Sequence, residues 1–415
     1  MRITTFGLVA TAVYLLIDLY VFWVLRSYLL ASGLRRAGWV QAVYLFLGIS
    51  TLLFFFFIPK LTQLGWWKPV GMTVFAIGVS WFLARGVAAM FFLVDDLRRL
   101  VQWGGVQAYR MAVPTATIDP GVSRSVFLSW MGVVAGSGLL GSLVYGFGNK
   151  YRYEVRRQKI RSDKLPQSFN GLRVVQLSDI HVGSFDDPKA VERGIDKVMD
   201  LKPDLIVFTG DLVNNMASEM GAYEAMFARL KAPLGVYSIL GNHDYGDYVA
   251  WESVERKKEN LELLKSIHAR MGWQLLLNEH VRLQKEEEQI VLIGVENWSS
   301  RVNFKRYGDL SVAYEGVKPQ EFQVLLSHDP SHWETEVSAS YPHIDLTLSG
   351  HTHGMQFGVE LPGFRWSPVQ YVYRRWAGLY RQGGQQLYIN RGFGFLGYPG
   401  RVGILPEITL IELYA

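Results

Sequence analysis

The chain has no cysteine, and its first 180 residues have no histidine. The first absence excludes disulfides and thiolate chemistry, although it does not choose a compartment. The second confines imidazole chemistry to the later part, which holds all nine histidines. Acidic residues are scarce in residues 1–150, four against twelve Lys+Arg, whereas the remainder has thirty-three against thirty. The pI near 9.1 therefore reflects the first segment, and no nucleic acid partner is expected. Internal repeats and low-complexity tracts are also missing. At 415 residues there is room for two domains, one built for lipid and one for water and chemistry.

What the first segment does have is long apolar runs, at residues 6–30, 39–58, 70–94 and 126–148. Each is close to the roughly 20 residues that span hydrocarbon as a helix. The competing reading, a buried soluble bundle, fits poorly with Phe54-Phe55-Phe56-Phe57, whose apolar neighbours leave no polar face. Trp39, Trp66 and Trp67 sit at span ends, where interfacial aromatics belong. Four such runs are more than one cleaved signal peptide explains. Asp18 and Arg85 fall inside spans and are expected to pair. Gly132-x-x-x-Gly136 in the fourth run predicts a close helix approach.

The chain is thus expected to be a multi-pass cell-membrane protein in contact with membrane lipids. The loop arginines Arg35, Arg36, Arg98, Arg99, Arg110 and Arg124 outweigh Arg2, Lys60 and Lys68 on the other side, which places the C-terminal domain outside the cytoplasm. Residues 123–128, which resemble a degraded twin-arginine export signal, point the same way. The cluster Lys150, Arg152, Arg156, Arg157, Lys159 and Arg161 points the opposite way.

Residues 1–149 are read as the transmembrane domain with about four helices, 150–170 as a basic connector, and 171–415 as a soluble domain. The soluble part begins with apolar strands alternating with helical patterns, predicting parallel strands with helical crossovers. The strands are at 172–177, 205–209 and 235–240, the helices at 188–200, 221–230 and 251–271. From about residue 274 short strands dominate and predict a second sheet packed on the first. They include 281–283, 290–295, 322–326, 346–349, 387–390 and 408–413.

Polar clusters follow these strands: Asp179-Ile180-His181, Gly210-Asp211, Gly241-Asn242-His243-Asp244, His328, and Gly350-His351-Thr352-His353. In open α/β sheets, ligands bind at that edge. One histidine at a strand end is better explained as a cap; five, with two aspartates and an asparagine, are not. Mixed imidazole and carboxylate donors suit divalent Mn, Fe or Zn. His268, His280, His332 and His343 lie outside the pattern.

This ordered set resembles the calcineurin-like metallophosphoesterase family, and residues 354–356 with the tail Arg401-x-x-x-x-Pro406-Glu407-Ile408 resemble its membrane-attached bacterial branch. The resemblance implies an α/β metallophosphoesterase domain of two packed mixed β-sheets flanked by helices. It implies two divalent metal ions, one held by Asp179, His181 and His353, the other by Asn242, His328 and His351, with Asp211 bridging. Such a pair acidifies water and clamps both oxygens of an in-line displacement. His243 resembles the histidine that protonates the leaving oxygen. Where the protein phosphatase branch orients that histidine with an aspartate, this chain has Asn214, whose amide oxygen is expected to orient the ring without stabilising its charge.

The implied activity is metal-dependent hydrolysis of a phosphomonoester, phosphodiester or pyrophosphate. A lipid-linked substrate such as a diacylglucosamine nucleotide or another phospholipid leads, a soluble phosphodiester is the second reading, and an inactive membrane sensor or scaffold is the third. Residues 357–400 mix aromatics with arginine, and Trp366, Arg374 and Arg391 are expected to line a substrate pocket.

Overall fold

The computed structural model describes residues 5–31, 38–61, 68–113 and 123–415. It divides into two units, Met1–Tyr145 and Gly146–Ala415. Arg2, Arg35, Arg36, Trp66 and Trp67, used above, lie outside the described residues.

Long apolar runs make α1 (Thr5–Ala31), α2 (Gly38–Leu61), α3 (Lys68–Ala112) and α4 (Val126–Gly146). Among the described residues, three stretches are long and apolar enough to cross a membrane: Thr11–Leu30, Thr73–Ala112 and Val126–Asn149. The shorter apolar stretch Gly38–Leu53 joins them. The third helix corrects the reading from sequence. It does not stop at residue 94 but runs 45 residues to Ala112. Asp95 and Asp96 end the apolar run, not the helix, because each pairs one turn on, with Arg98 at 2.9 Å and Arg99 at 3.0 Å.

Asp18 and Arg85 form a buried ion pair. The Arg85 guanidinium also lies over the Tyr14 ring at 4.7 Å and the Trp81 ring at 5.3 Å. A Cβ on Gly132 or Gly136 would run into the α3 carbonyls of Ala88 or Ala84, so these two glycines set the α3–α4 approach.

The second unit begins with β1 (Glu154–Arg161), inside the stretch expected to be a connector. Then come β2 (Leu172–Leu177), α5 (Pro188–Asp200), β3 (Leu205–Phe208), α6 (Tyr223–Phe227), β4 (Val236–Ser238), α7 (Val254–Arg270) and β5 (Gln274–Leu275). The second half supplies β6 (Glu279–Lys285), β7 (Glu288–Gly294), β8 (Gln323–Leu326) and β9 (Leu346–Ser349). It continues with β10 (Val359–Leu361), β11 (Phe364–Trp366), β12 (Gly378–Gln382), β13 (Gln385–Ile389) and β14 (Glu407–Tyr414).

Two mixed six-stranded sheets result, ordered β1-β14-β2-β3-β4-β5 and β12-β13-β9-β8-β7-β6, with β10-β11 as a separate hairpin. α6 occupies only half of the ten residues expected for it. Asp187 and Ser253 cap α5 and α7 by accepting from the third residue of their helices, Ala190 and Arg256.

Side-chain alternation builds the layers. Leu205 and Val207 of β3 join Leu292, Leu326 and Leu348 of the other sheet in the inter-sheet core. Ile206 and Phe208 face Val191, Ile195 and Ile267 of the helices instead. Strands buried on both faces read as continuous apolar runs, which is why β2, β3, β8 and β9 were visible in sequence.

Candidate metal centre

β2, β3 and β4 are mutually parallel, as are β7, β8 and β9. Their carboxyl ends therefore share an edge within each sheet. The turns beyond them carry Asp179 and His181, Asp211, Asn242 and His243, His328, and His351 and His353. Asp179, His181 and His353 bring ligand-type atoms within 4.8 Å of one another, and Asp211, His328 and His351 do the same. The groups join at Asp211, whose Oδ2 lies 3.6 Å from His181 Nε2 and 3.1 Å from His328 Nε2.

These turns are strained. Asp179, His181, Asp211, His351 and His353 all have positive φ, between 49° and 70°. Residues other than glycine lose about 1–2 kcal/mol each in that region, and such strain collects at functional sites. A Cβ on Gly350 would collide with Ser178 and Asp179, so glycine is required there by close approach. Asp244 ties two turns together by accepting from the backbone N–H groups of Gly241 (2.8 Å), Asp211 (2.9 Å), Leu212 (2.8 Å) and Val213 (3.2 Å).

Hydrogen-bond partners fix which ring and amide atoms are turned to the cluster. His328 Nδ1 donates to the Thr209 carbonyl at 2.7 Å, which leaves Nε2 as a lone pair. Burial holds the Tyr373 phenol above its ordinary value, and its O–H donates to Asp329 at 3.1 Å. Tyr373 Oη therefore accepts from His351 Nε2 at 2.8 Å, which leaves His351 Nδ1 bare. Asn242 is turned by its donation to Tyr248 Oη at 2.9 Å, so its Oδ1 faces His351 Nδ1 at 2.8 Å. Four acceptors thus converge: Asp211 Oδ2, His328 Nε2, His351 Nδ1 and Asn242 Oδ1. Convergent lone pairs without a donor between them are the setting of a cation.

A proton competes for the same place. Burial works against a charge on His328, yet Asp211 pushes that imidazole up to about 10, so a cation held there would displace the Nε2 proton. Burial likewise raises Asp211, but His328 and His243 hold it well below the carboxylate range. Asp179 behaves alike, with His353 overcoming burial. His181 and His351 are pushed down by burial, toward the neutral form that binds metal.

His243 lies beside the cluster, its ring 4.9 Å from that of His181. Its Nδ1 bonds the backbone carbonyl of Asn214 at 2.7 Å, not the side chain. The Asn214 amide is engaged with Ser184 Oγ at 3.0 Å. The expectation that the amide oxygen orients the ring is thereby corrected. A carbonyl does so whatever residue stands at 214.

The substrate-pocket residues separate. Arg391 is buried and engaged, with Nη1 on Glu407 at 2.6 Å and Nη2 on Glu360 at 2.6 Å. Its guanidinium is an internal clamp, contrary to the expected place in the lining of a substrate pocket. Arg374 is exposed, and Trp366 is half-buried with Nε1 3.4 Å from Tyr371 Oη. Sequence reasoning missed Asp329, Tyr373 and Tyr248, which orient first neighbours of the cluster. It also missed the role of buried Arg401, which donates to the carbonyls of His353 (3.2 Å) and Arg391 (2.7 Å). Asp329 directly follows His328, the one available signal.

A family model for calcineurin-like phosphoesterases matches residues 172–355, and one for a probable calcineurin-like phosphoesterase transmembrane domain matches residues 1–149. The chain is 30% identical over 308 residues to an uncharacterized metallophosphoesterase, YkuE, of Bacillus subtilis, covering 70% of this chain and 98% of that one. It is 33% identical over 280 residues to a zebrafish (Danio rerio) transmembrane protein with metallophosphoesterase domain, covering 65% of this chain but 60% of that one. It is also 26% identical over 283 residues to the UDP-2,3-diacylglucosamine pyrophosphatase LpxG of Chlamydia muridarum, covering 56% and 81%.

Proposed function

The chain belongs to the calcineurin-like metallophosphoesterase family, as a membrane protein and a metal-dependent phosphoester hydrolase, and from that premise we propose that it cleaves a lipid-linked phosphoester or pyrophosphate. The carrying observation is the convergence of bare acceptors on Asp211, in a chain with its own membrane-spanning helices. Asp179, His181 and His353 would hold one divalent ion. Asn242, His328 and His351 would hold the other, and Asp211 would serve both. When bound, the ions supply positive charge for phosphoryl oxygens and acidify water.

The rest falls to side chains. His243, held at Nδ1, presents Nε2 to donate a proton to the leaving oxygen. Tyr373 and Asp329 hold His351 in one tautomer. Arg374, an exposed cation next in sequence to Tyr373, would be available to a second phosphate. The pyrophosphatase relative acts on a lipid-linked diphosphate by its name, which supports this substrate class.

For orientation we keep the domain outside the cytoplasm. The basic cluster that argued otherwise is partly consumed within the folded unit: Arg156 pairs with Glu360 at 2.6 Å and Lys150 with Asp186 at 2.5 Å. Charges inside a folded domain weigh little in topology.

The test is a Mn²⁺-supplemented hydrolysis screen of the full chain over lipid phosphates, lipid pyrophosphates and a soluble diester. Preference for a lipid substrate is expected. Turnover of the soluble diester alone would overturn the substrate reading. Asp211→Asn should abolish turnover and lower bound metal; full activity in that variant would sink the shared-ligand assignment.

A further inference from the structure

The hairpin β10-β11 belongs to neither large sheet, and its patterning is inverted. Val359 pairs with Trp366 and Leu361 with Phe364, while Glu360 pairs with Arg365. An ordinary surface hairpin turns its apolar side chains inward. Here the charged pair is the one that contacts the domain, Glu360 turned inward and Arg365 reaching back while remaining exposed. Glu360 accepts from Arg156 and Arg391, each at 2.6 Å, and Arg365 donates to the Ala377 carbonyl and lies over the Trp376 ring at 5.0 Å.

The apolar side chains face out: Leu361 is 63% exposed and Phe364 56%. Neighbouring Met355, Tyr371 and Val372 are also exposed, Tyr371 at 76%. Scattered exposed apolar residues need no explanation, but a contiguous set on one hairpin marks an interaction surface.

Two observations identify what covers it. The rim is basic: beyond the Glu360–Arg365 pair, residues 355–382 hold three arginines and no acid, with Arg374 exposed and Arg375 paired with Glu334. The root is tied to the point where the chain leaves an apolar helix. Gly146, the last residue of α4, accepts from Arg401 N–H at 3.0 Å. The adjacent Val402 accepts from Gly358 N–H at 2.9 Å and bridges Phe357. An apolar tip with interfacial Trp and Tyr, a cationic rim and a root bonded to the residue at which the chain leaves an apolar helix all suit an anionic bilayer surface.

We propose that the β10-β11 hairpin is a membrane-docking element, inserting Leu361 and Phe364 into the bilayer interface. Because Met355 lies two residues beyond His353, docking brings the metal centre to the headgroup layer. The inference does not depend on which substrate is cleaved.

The absence of native cysteine makes a direct test available. Full-length Leu361→Cys, Tyr371→Cys and Ser340→Cys variants would be labelled with an environment-sensitive fluorophore. They would be reconstituted into phosphatidylcholine vesicles containing phosphatidylglycerol and spin-labelled lipids. Cooperative thermal unfolding at the wild-type temperature shows that each variant is folded, and Phe364→Cys replaces Leu361→Cys if that one is not. Blue-shifted emission quenched by the spin-labelled lipids is expected at 361 and 371, with neither change at 340. Water-like, unquenched emission at 361 and 371 would overturn the proposal. A blue shift without lipid quenching would also overturn it, because it would mean that protein covers the hairpin.

Discussion

Replacing Arg391 by alanine separates two roles that give opposite results. If its guanidinium clamps the fold, the variant loses stability and keeps its Michaelis constant; if it meets substrate, the reverse holds. Arg391 has 3% side-chain exposure and Glu407 none, so the pair is fully withdrawn from water. Removing one partner of such a pair costs about 3–5 kcal/mol, since the other charge stays buried. Glu407 would keep hydrogen bonds from Tyr388 Oη at 2.6 Å and Thr409 Oγ1 at 2.5 Å, which favours the lower end. With about 2 °C per kcal/mol for a unit of this size, the melting temperature should fall by about 6–10 °C. Differential scanning fluorimetry of the full chain in nanodiscs reads this. Arg391→Met combined with Glu407→Gln should recover much of the loss, because no uncompensated charge remains. An unchanged melting temperature with a raised Michaelis constant would refute the clamp.

His243→Ala should keep both metals yet slow hydrolysis by roughly 10²–10⁴-fold with a poor leaving group, and by less with nitrophenolate. Asn214→Ala should cost less than about tenfold under the same assay, since the carbonyl that holds His243 survives the change. His268 is fully buried and depressed by that burial to about 3, below its usual 6.5. The unfolded chain therefore binds the proton first, and stability present above pH 6.5 is lost as pH falls toward 3. About 2–3 kcal/mol should be gone by roughly pH 4.5. His268→Gln should flatten that part of the pH–stability curve, and an unaltered curve would reject the assignment. A cysteine at Ser340 should react with an impermeant maleimide in intact cells whose outer membrane, if present, is permeabilised; labelling only after lysis would place the domain in the cytoplasm and favour a nucleotide-lipid substrate.

What could be seen in the sequence was what repeats a simple physical rule. Strands buried on both faces are apolar runs, and His or Asp follows within a few residues of each run's end, so the strand-end residues stand out in the sequence. β1 did not, because Glu154-Val155-Arg156-Arg157-Gln158-Lys159-Ile160-Arg161 is an edge strand with Ile160 alone buried. Edges are commonly charged to resist further pairing, and such a strand reads as a linker. The end of α3 was missed because hydropathy reports where lipid ends, whereas a helix continues past that point when its charged residues pair one turn apart, as Asp95 and Asp96 do. Arg391 misled because its partners, Glu360 and Glu407, are distant in sequence. The Asn214 carbonyl has no sequence signature, since every residue carries one. Positive φ at five of the proposed ligands was equally hidden, as none of them is glycine.

β14 lies between β1 and β2, with Glu154 opposite Glu407 and Leu413 opposite Leu172. During synthesis, β1 and β2 emerge early but cannot become neighbours through each other. Both wait for a strand made more than two hundred residues later. Until then a membrane-tethered chain displays two unsatisfied backbone edges, the condition under which nascent chains associate wrongly. The long-range register also makes the last step of folding slow relative to the helices. Arg401 and Glu407, which brace His353 and Arg391, arrive with that final segment. Closure of the sheet and bracing of the ligand turns are therefore one event, so an incomplete chain should be unable to retain metal.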